Sequence, residues 1–184
     1  VAPTSAVQGQ TLDLVFTGTG FVNGATLSYS SPGNGTPGHL ASELLKNMAG
    51  VKDATGNVAR VSQQRHAMGE GFNQLSGEDM TALAFNAAGG NGCISVTANI
   101  APRLCSALQT ATLNGDYRKA NEIQDRLIPL HHAIFIEPGV AGAKAGLAEL
   151  GRLKDEVRLP LVPVTDAARE QIRKAMRHAG ILNG

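Results

Sequence analysis

The chain has 184 residues, 42% of them hydrophobic, and a net charge of +1, enough for a buried core and too little charge for a polyanion partner. It has no basic run interleaved with aromatics and no apolar stretch of bilayer length, so neither nucleic acid nor a membrane is expected as a partner. Cys93 and Cys105 lack CxxC spacing and read as reduced, buried thiols, which suits a cytoplasmic protein. The chain opens without Met and without an apolar leader, as expected of a processed product, an excised fragment or an engineered one.

Residues 1–36 carry Asp13 as their one formal charge. Leu12, Leu14 and Phe16 alternate with Asp13 and Val15, and Ala25, Leu27 and Tyr29 alternate with Thr26 and Ser28, around Gly18, Gly20, Asn23 and Gly24. That pattern predicts two short strands joined as a hairpin. Helices alternating with strands are predicted from about His39. Ser42 to Met48 reads as a short helical piece, and "GVKDATGN" (50–57) as a strand running into a turn. Val58, Val61, Arg65 and Met68 share a helical face, and "FNQLSG" (72–77) reads as the next strand. Glu78 and Asp79 mark a helix start, with Met80, Leu83, Ala84 and Ala87 as its inner face. "CISV" (93–96) is a third strand. Strands and helices at this spacing predict right-handed βαβ units and a parallel sheet, hence an α/β fold.

Beyond Ala98 the pattern is helical. Leu104, Cys105, Leu108 and Ala111 form one face. A longer helix from Asp116 carries Tyr117, Ala120, Ile123, Leu127, Ile134 and Phe135 inward, with a kink expected at Pro129. A third helix spans about Gly139 to Gly151. The last follows Thr165 as N-cap and buries Ile172, Ala175, Met176 and Ala179. "LPLVPV" before it is an extended linker, because its prolines remove ladder donors.

Lys52 stands out as an ammonium in an apolar strand. Held inward, its amine would favour the neutral form and could attack a ketone, the resulting iminium serving as an electron sink. The stretch "GVKDATGNVARVSQQRHAMGEGFNQLSGEDMTALAFNAAGGNGCISVTANIAPRLCSAL", continued by "GDYRKANEIQDRLIPLHHAIFIEPG", "LGRLKDEVRLPLVPVTD" and "IRKAMRHAGIL", resembles the second half of dihydrodipicolinate synthase, in the pyruvate-dependent class I aldolase superfamily that includes N-acetylneuraminate lyase. The resemblance covers about residues 40–184 in one ordered run. It implies that Lys52 matches the Schiff-base lysine, that Ile94 places its backbone against bound pyruvate, and that Gly77 and the "GGNG" glycines form the close-packed rim. It implies no metal and no cofactor. It also implies a (β/α)8 barrel with its site at the C-terminal strand ends, followed by a helical domain.

Residues 1–36 hold neither the family's "GTTGE"-type carboxylate loop nor its "YNVPxRT" tyrosine and arginine; Tyr29 lies too close to Lys52 to stand in and reads as a hairpin residue. "PTSAVQGQTLDLVFTGTGFVNGATLS" instead resembles part of an IPT/TIG immunoglobulin-like domain. The expectation is a chimera: a hairpin segment (1–36), the last three βα units of a barrel (37–98) and a C-terminal helical domain (99–184). Its lineage is a lyase condensing pyruvate with aspartate semialdehyde in lysine biosynthesis, with turnover impaired or lost. The alternative is an inactive protein with a structural or interaction role. Open sheet edges further imply a homo-oligomer.

Other candidates have plainer readings. His131 and His132 diverge by about 100° on a helix and cannot chelate together, so one is expected buried and the other exposed. "GGNG" lacks a following GKS or GKT and reads as a tight loop. Asn34-Gly35-Thr36 is a glycosylation sequon only in a secretory setting. Asp53 and Glu78 are single carboxylates expected to cap or solvate strand ends.

Overall fold

A computed structural model describes residues 11–15, 26–30 and 50–182. The expected helical piece at 42–48 and the sequon lie outside these residues. Backbone contacts divide the chain into two units, residues 1–51 with 63–73 and residues 52–62 with 74–184.

In the first unit, β1 (Thr11–Val15) and β2 (Thr26–Ser30) pair antiparallel, with Leu12 opposite Tyr29 and Leu14 opposite Leu27. The alternation read from the sequence gives this pairing. The same unit holds a close backbone approach: a Cβ added at Gly50 would stand 2.6 Å from the Asn73 carbonyl oxygen.

A second sheet has the order β3-β4-β5, formed by β3 (Gly50–Asp53), β4 (Asn73–Ser76) and β5 (Gly92–Cys93), with β4 and β5 parallel. Helix α1 (Ala59–Met68) connects the first two strands and buries Val61 completely. Asp53 ties the end of β3 to the start of α1: it accepts from the Thr55 amide and hydroxyl (3.0 and 2.6 Å) and from Arg60 Nε (2.6 Å). Burial alone would raise this carboxyl, but the Thr55 and Arg60 hydrogen bonds outweigh it and hold the pKa at about 2. The group binds its proton less readily folded than unfolded. Its contribution is therefore complete above the ordinary value of 3.8 and is lost as pH falls through that value toward 2. Asp53→Asn is expected to lower stability by about 2 kcal/mol at neutral pH, a gap that shrinks through this acid range. Urea midpoints of the two proteins across that range check it.

Two expectations fail after β4. The strand predicted at 93–96 ends at Cys93, and the helix predicted from Met80 begins later, as α2 (Ala82–Ala87) after a 3-10 turn at Asp79–Thr81. Its buried residues are Ala82, Phe85 and Asn86, while Met80, Ala84 and Ala87 are exposed. One group accounts for both changes. Asp79 is buried, and its carboxylate accepts from the Ser95 hydroxyl, the Val96 amide (2.9 Å) and the Thr97 amide (3.2 Å). Drawing Asp79 inward sets the phase of α2, and gathering three donors from 95–97 bends the chain out of the strand into a 3-10 turn (Thr97–Asn99).

Four helices follow: α3 (Pro102–Leu113), α4 (Tyr117–Ile134), α5 (Gly139–Glu149) and α6 (Asp166–His178). Asp116 caps α4 by accepting from the Lys119 amide (3.1 Å), and Thr165 caps α6 by accepting from the Ala168 amide (3.3 Å). Helix α4 runs on through Pro129. The core joins Cys105, Leu108 and Ala111 of α3, Ala120, Leu127, Leu130 and Ile134 of α4, Ala141 and Ala145 of α5, and Ile172 and Met176 of α6. Tyr117 and Phe135, expected inside, are exposed at the ends of α4. At the end of α5, Glu149 receives Arg169 (3.1 Å) and Arg173 (2.9 Å) from α6, and these hydrogen bonds, that of Arg173 foremost, lower its carboxyl's pKa. Among the described residues no helix is long and apolar enough to cross a membrane.

Candidate active site

Lys52 lies in β3, and Gly77 and Ile94 directly follow β4 and β5. The Gly77 amide donates to the Asp53 carbonyl at the end of β3 (2.7 Å), and the Ile94 amide donates to the Ser76 carbonyl at the end of β4 (2.8 Å). These two bonds align the three residues along the C-terminal edge of the sheet. The expectation of an inward lysine is not met, since Lys52 is exposed. Its side chain instead runs beside Gly77: a Cβ added there would lie 2.7 Å from Lys52 Cε, 2.8 Å from Ala54 Cβ and 3.1 Å from Ala54 Cα. Glycine at 77 is thus the slot along which the lysine side chain lies. Ile94 is 46% exposed, with its backbone held by Ser76.

Behind this edge lies a cleft of about 220 Å³, lined by residues that include Asp79, Cys93, Ser95, Cys105, Gln109 and His131. The two cysteines are free. Burial, reinforced by the Asp79 charge, pushes the Cys93 thiol up to about 12, and burial pushes Cys105 up to about 11. Neither is a nucleophile at neutral pH, because the thiolate is the reactive form. Of the histidine pair, His131 is fully buried and His132 exposed, as the helical geometry requires. His131 Nδ1 lies 2.7 Å from Thr97 Oγ1, and burial lowers the imidazole's pKa against the opposing pull of Asp79 and Glu78. Glu78 caps the 3-10 turn by accepting from the Met80 amide (3.1 Å). Asp53 is buried rather than solvated. Among the described residues no three His, Cys, Asp or Glu side chains gather as a metal site would need.

Sequence reasoning passed over Asp79, Thr97, Gln124 and His131 as working parts of this region. The available signal was on α4, where Gln124 and His131 interrupt an otherwise apolar face.

Comparison with known proteins places this arrangement. The dihydrodipicolinate synthetase family matches residues 36–179. A 4-hydroxy-tetrahydrodipicolinate synthase of Nitrobacter hamburgensis is 69% identical over 139 residues, which are 76% of this chain and 47% of that protein. The synthase of Cereibacter sphaeroides is 63% identical over 147 residues, 80% of this chain and 50% of that one. Among solved structures, the chloride-inhibited dihydrodipicolinate synthase of Acinetobacter baumannii complexed with pyruvate matches with a TM-score of 0.73 at 35% identity, covering 78% of this chain and 50% of that chain. The enzyme of Methylacidiphilum fumariolicum gives 0.73 at 34% identity, covering 77% and 48%. The chain spans about half the length of the relatives it matches. Over that span it belongs to the dihydrodipicolinate synthetase family.

Proposed function

We propose that this chain carries the Schiff-base part of a dihydrodipicolinate synthase-like lyase, with Lys52 as its nucleophile and pyruvate as the first substrate. The observation that carries the reading is the lysine lying beside Gly77, level with the Ile94 backbone, in a chain whose relatives are synthases and include one solved with pyruvate. The Lys52 amine adds to the ketone carbon, the carbinolamine loses water, and the iminium withdraws electrons so that the adjacent methyl gives up a proton to water, leaving an enamine. The enamine carbon then bonds to the aldehyde carbon of aspartate semialdehyde, whose oxygen takes up a proton as the iminium re-forms, and water releases the Lys52 amine. The cysteines beside the site do not compete, as thiols held protonated.

In this reading β3, β4 and β5 are the last three strands of a (β/α)8 barrel, residues 99–184 are the C-terminal helical domain, and residues 1–36 are a joined β-segment of another origin. A second copy covers the open sheet edges. Turnover is impaired, because residues 1–36 hold neither a carboxylate-binding loop nor the relay tyrosine of the family, and positioning and proton transfer are each worth orders of magnitude. The runner-up is a catalytically silent protein with a structural role, favoured by the exposure of Lys52.

Borohydride trapping with pyruvate, read by peptide mass spectrometry, separates the two. One reduced adduct on Lys52, lost in Lys52→Arg, supports the nucleophile. No adduct, or labelling spread over many lysines, supports the silent protein.

A further inference from the structure

Gln124 and His131 are 7% and 1% exposed, on the face of α4 that otherwise packs Ala120, Ile123, Leu127 and Ile134 into the core. They are seven residues apart, two helical turns, so they project from the same side about 10 Å apart along the axis. Among the described residues each side chain has a single hydrogen bond, and each bond goes to a different loop. Gln124 Nε2 donates to the Met80 carbonyl (3.1 Å), in the turn that follows Gly77. His131 Nδ1 meets the Thr97 hydroxyl (2.7 Å), in the turn that follows Ile94. The remaining polar atoms, Gln124 Oε1 and His131 Nε2, are buried without a partner among the described residues. A buried polar atom left unpaired costs stability, so an apolar pair would have packed this face more cheaply.

The Thr97 hydroxyl makes no other bond among the described side chains, so its one side-chain link is to His131 Nδ1, donated by the hydroxyl or by the ring according to the tautomer. Asp79, Cys93 and Cys105 line the same cleft as His131, and burial lowers the imidazole's pKa against the pull of the Asp79 and Glu78 charges. The two loops are also joined directly, through Asp79 to Ser95, Val96 and Thr97. Helix α4 therefore grips both ends of one short bridge.

We propose that Gln124 and His131 are positioning residues. Helix α4 acts as a two-point ruler that fixes the spacing of the loops after β4 and β5, and with it the gap between Gly77 and Ile94 where a 2-oxo acid would meet Lys52. The inference rests on the pyruvate reading for its ligand, not for its geometry.

Two readouts test it on the intact chain. The first is exchange of the Ile94 amide, which is bonded to Ser76, against a core amide in α4. Thr97→Val and His131→Leu are each expected to speed Ile94 exchange about tenfold relative to the core amide, as local opening does. His131→Asn, whose amide keeps a hydrogen-bonding atom near the Nδ1 position, returns it to within about twofold. The paired variant Thr97→Val/His131→Leu is no worse than either single one, because one shared bond is lost once. The second readout is the pyruvate concentration that half-saturates the Lys52 adduct, expected to rise roughly tenfold in the same variants, since small displacements of a positioned group carry large factors. Urea midpoints that fall while Ile94 exchange keeps pace with the core would overturn the ruler and leave these as structural polar residues. So would effects that multiply in the double variant. Absence of any adduct in the parent protein defeats the pyruvate reading alone; the exchange data still decide the ruler.

Discussion

Asp79→Ala is expected to cost about 3–5 kcal/mol in urea unfolding at neutral pH, well above an ordinary substitution. The side chain is 5% exposed and accepts from one hydroxyl and two backbone amides, all on residues 95–97. Bonds to an ionised acceptor are each worth about 1.5–3 kcal/mol, and removing the acceptor leaves donors desolvated. The sum is less than three full bonds because the freed turn relaxes toward water. Asp79→Asn is the sharper variant. It keeps the volume and one oxygen but turns an N–H₂ toward donors, so it should recover only part of the loss. A midpoint unchanged in both variants would mean that the turn at 97–99 is held by packing alone. The same loss reaches the candidate site, because residues 95–97 continue directly from Ile94.

The second large effect concerns Gly77, where the expected result is loss of the Lys52 adduct in a chain that still folds. A methyl added there would stand 2.7 Å from Lys52 Cε and 2.8 Å from Ala54 Cβ, closer than side-chain carbons approach. The lysine is the flexible partner and swings away first; Ala54 is fixed by the backbone and must shift with the end of β3. Overpacking of this kind costs about 1–3 kcal/mol. Displacement of the amine costs far more in rate, since a misplacement near 1 Å is worth about a hundredfold. Gly77→Ala should therefore trap pyruvate at least about a hundred times more slowly than the parent, with circular dichroism unchanged. Equal trapping rates would show that the lysine reaches its substrate by another path and that the slot is incidental.

The sequence made α3, α4 and α6 legible because each has an apolar stripe at the helical period. Cys105, Leu108 and Ala111, and Ile172, Ala175 and Met176, are buried as their spacing predicts. Thr165 and Asp116 cap as their residue types suggest. What periodicity could not register was a carboxylate turned inward. Asp79 beside Glu78 reads as two charges at a helix start, yet only Glu78 caps the turn; Asp79 is spent on a segment sixteen and more residues later. That long-range choice shifts the phase of α2 and stops β5 at Cys93, so Met80, Ala84 and "CISV" were misread together. The resemblance named the candidate site residues, and the order of the strands brings Lys52, Gly77 and Ile94 to one edge of the sheet. The exposure of Lys52 was not, because alternation along a four-residue strand does not say which face is covered.

The core joining α3, α4, α5 and α6 draws on four helices that follow one another in the chain. Contacts between neighbours in sequence close short loops and cost little chain entropy, so this body is the part that can form fastest. The sheet beside it has strands of four, four and two residues, too short to hold together unaided. The short strands therefore depend on their packing and loop contacts more than the helices do, and the edge that carries Lys52 is expected to exchange its amides before the helical core does.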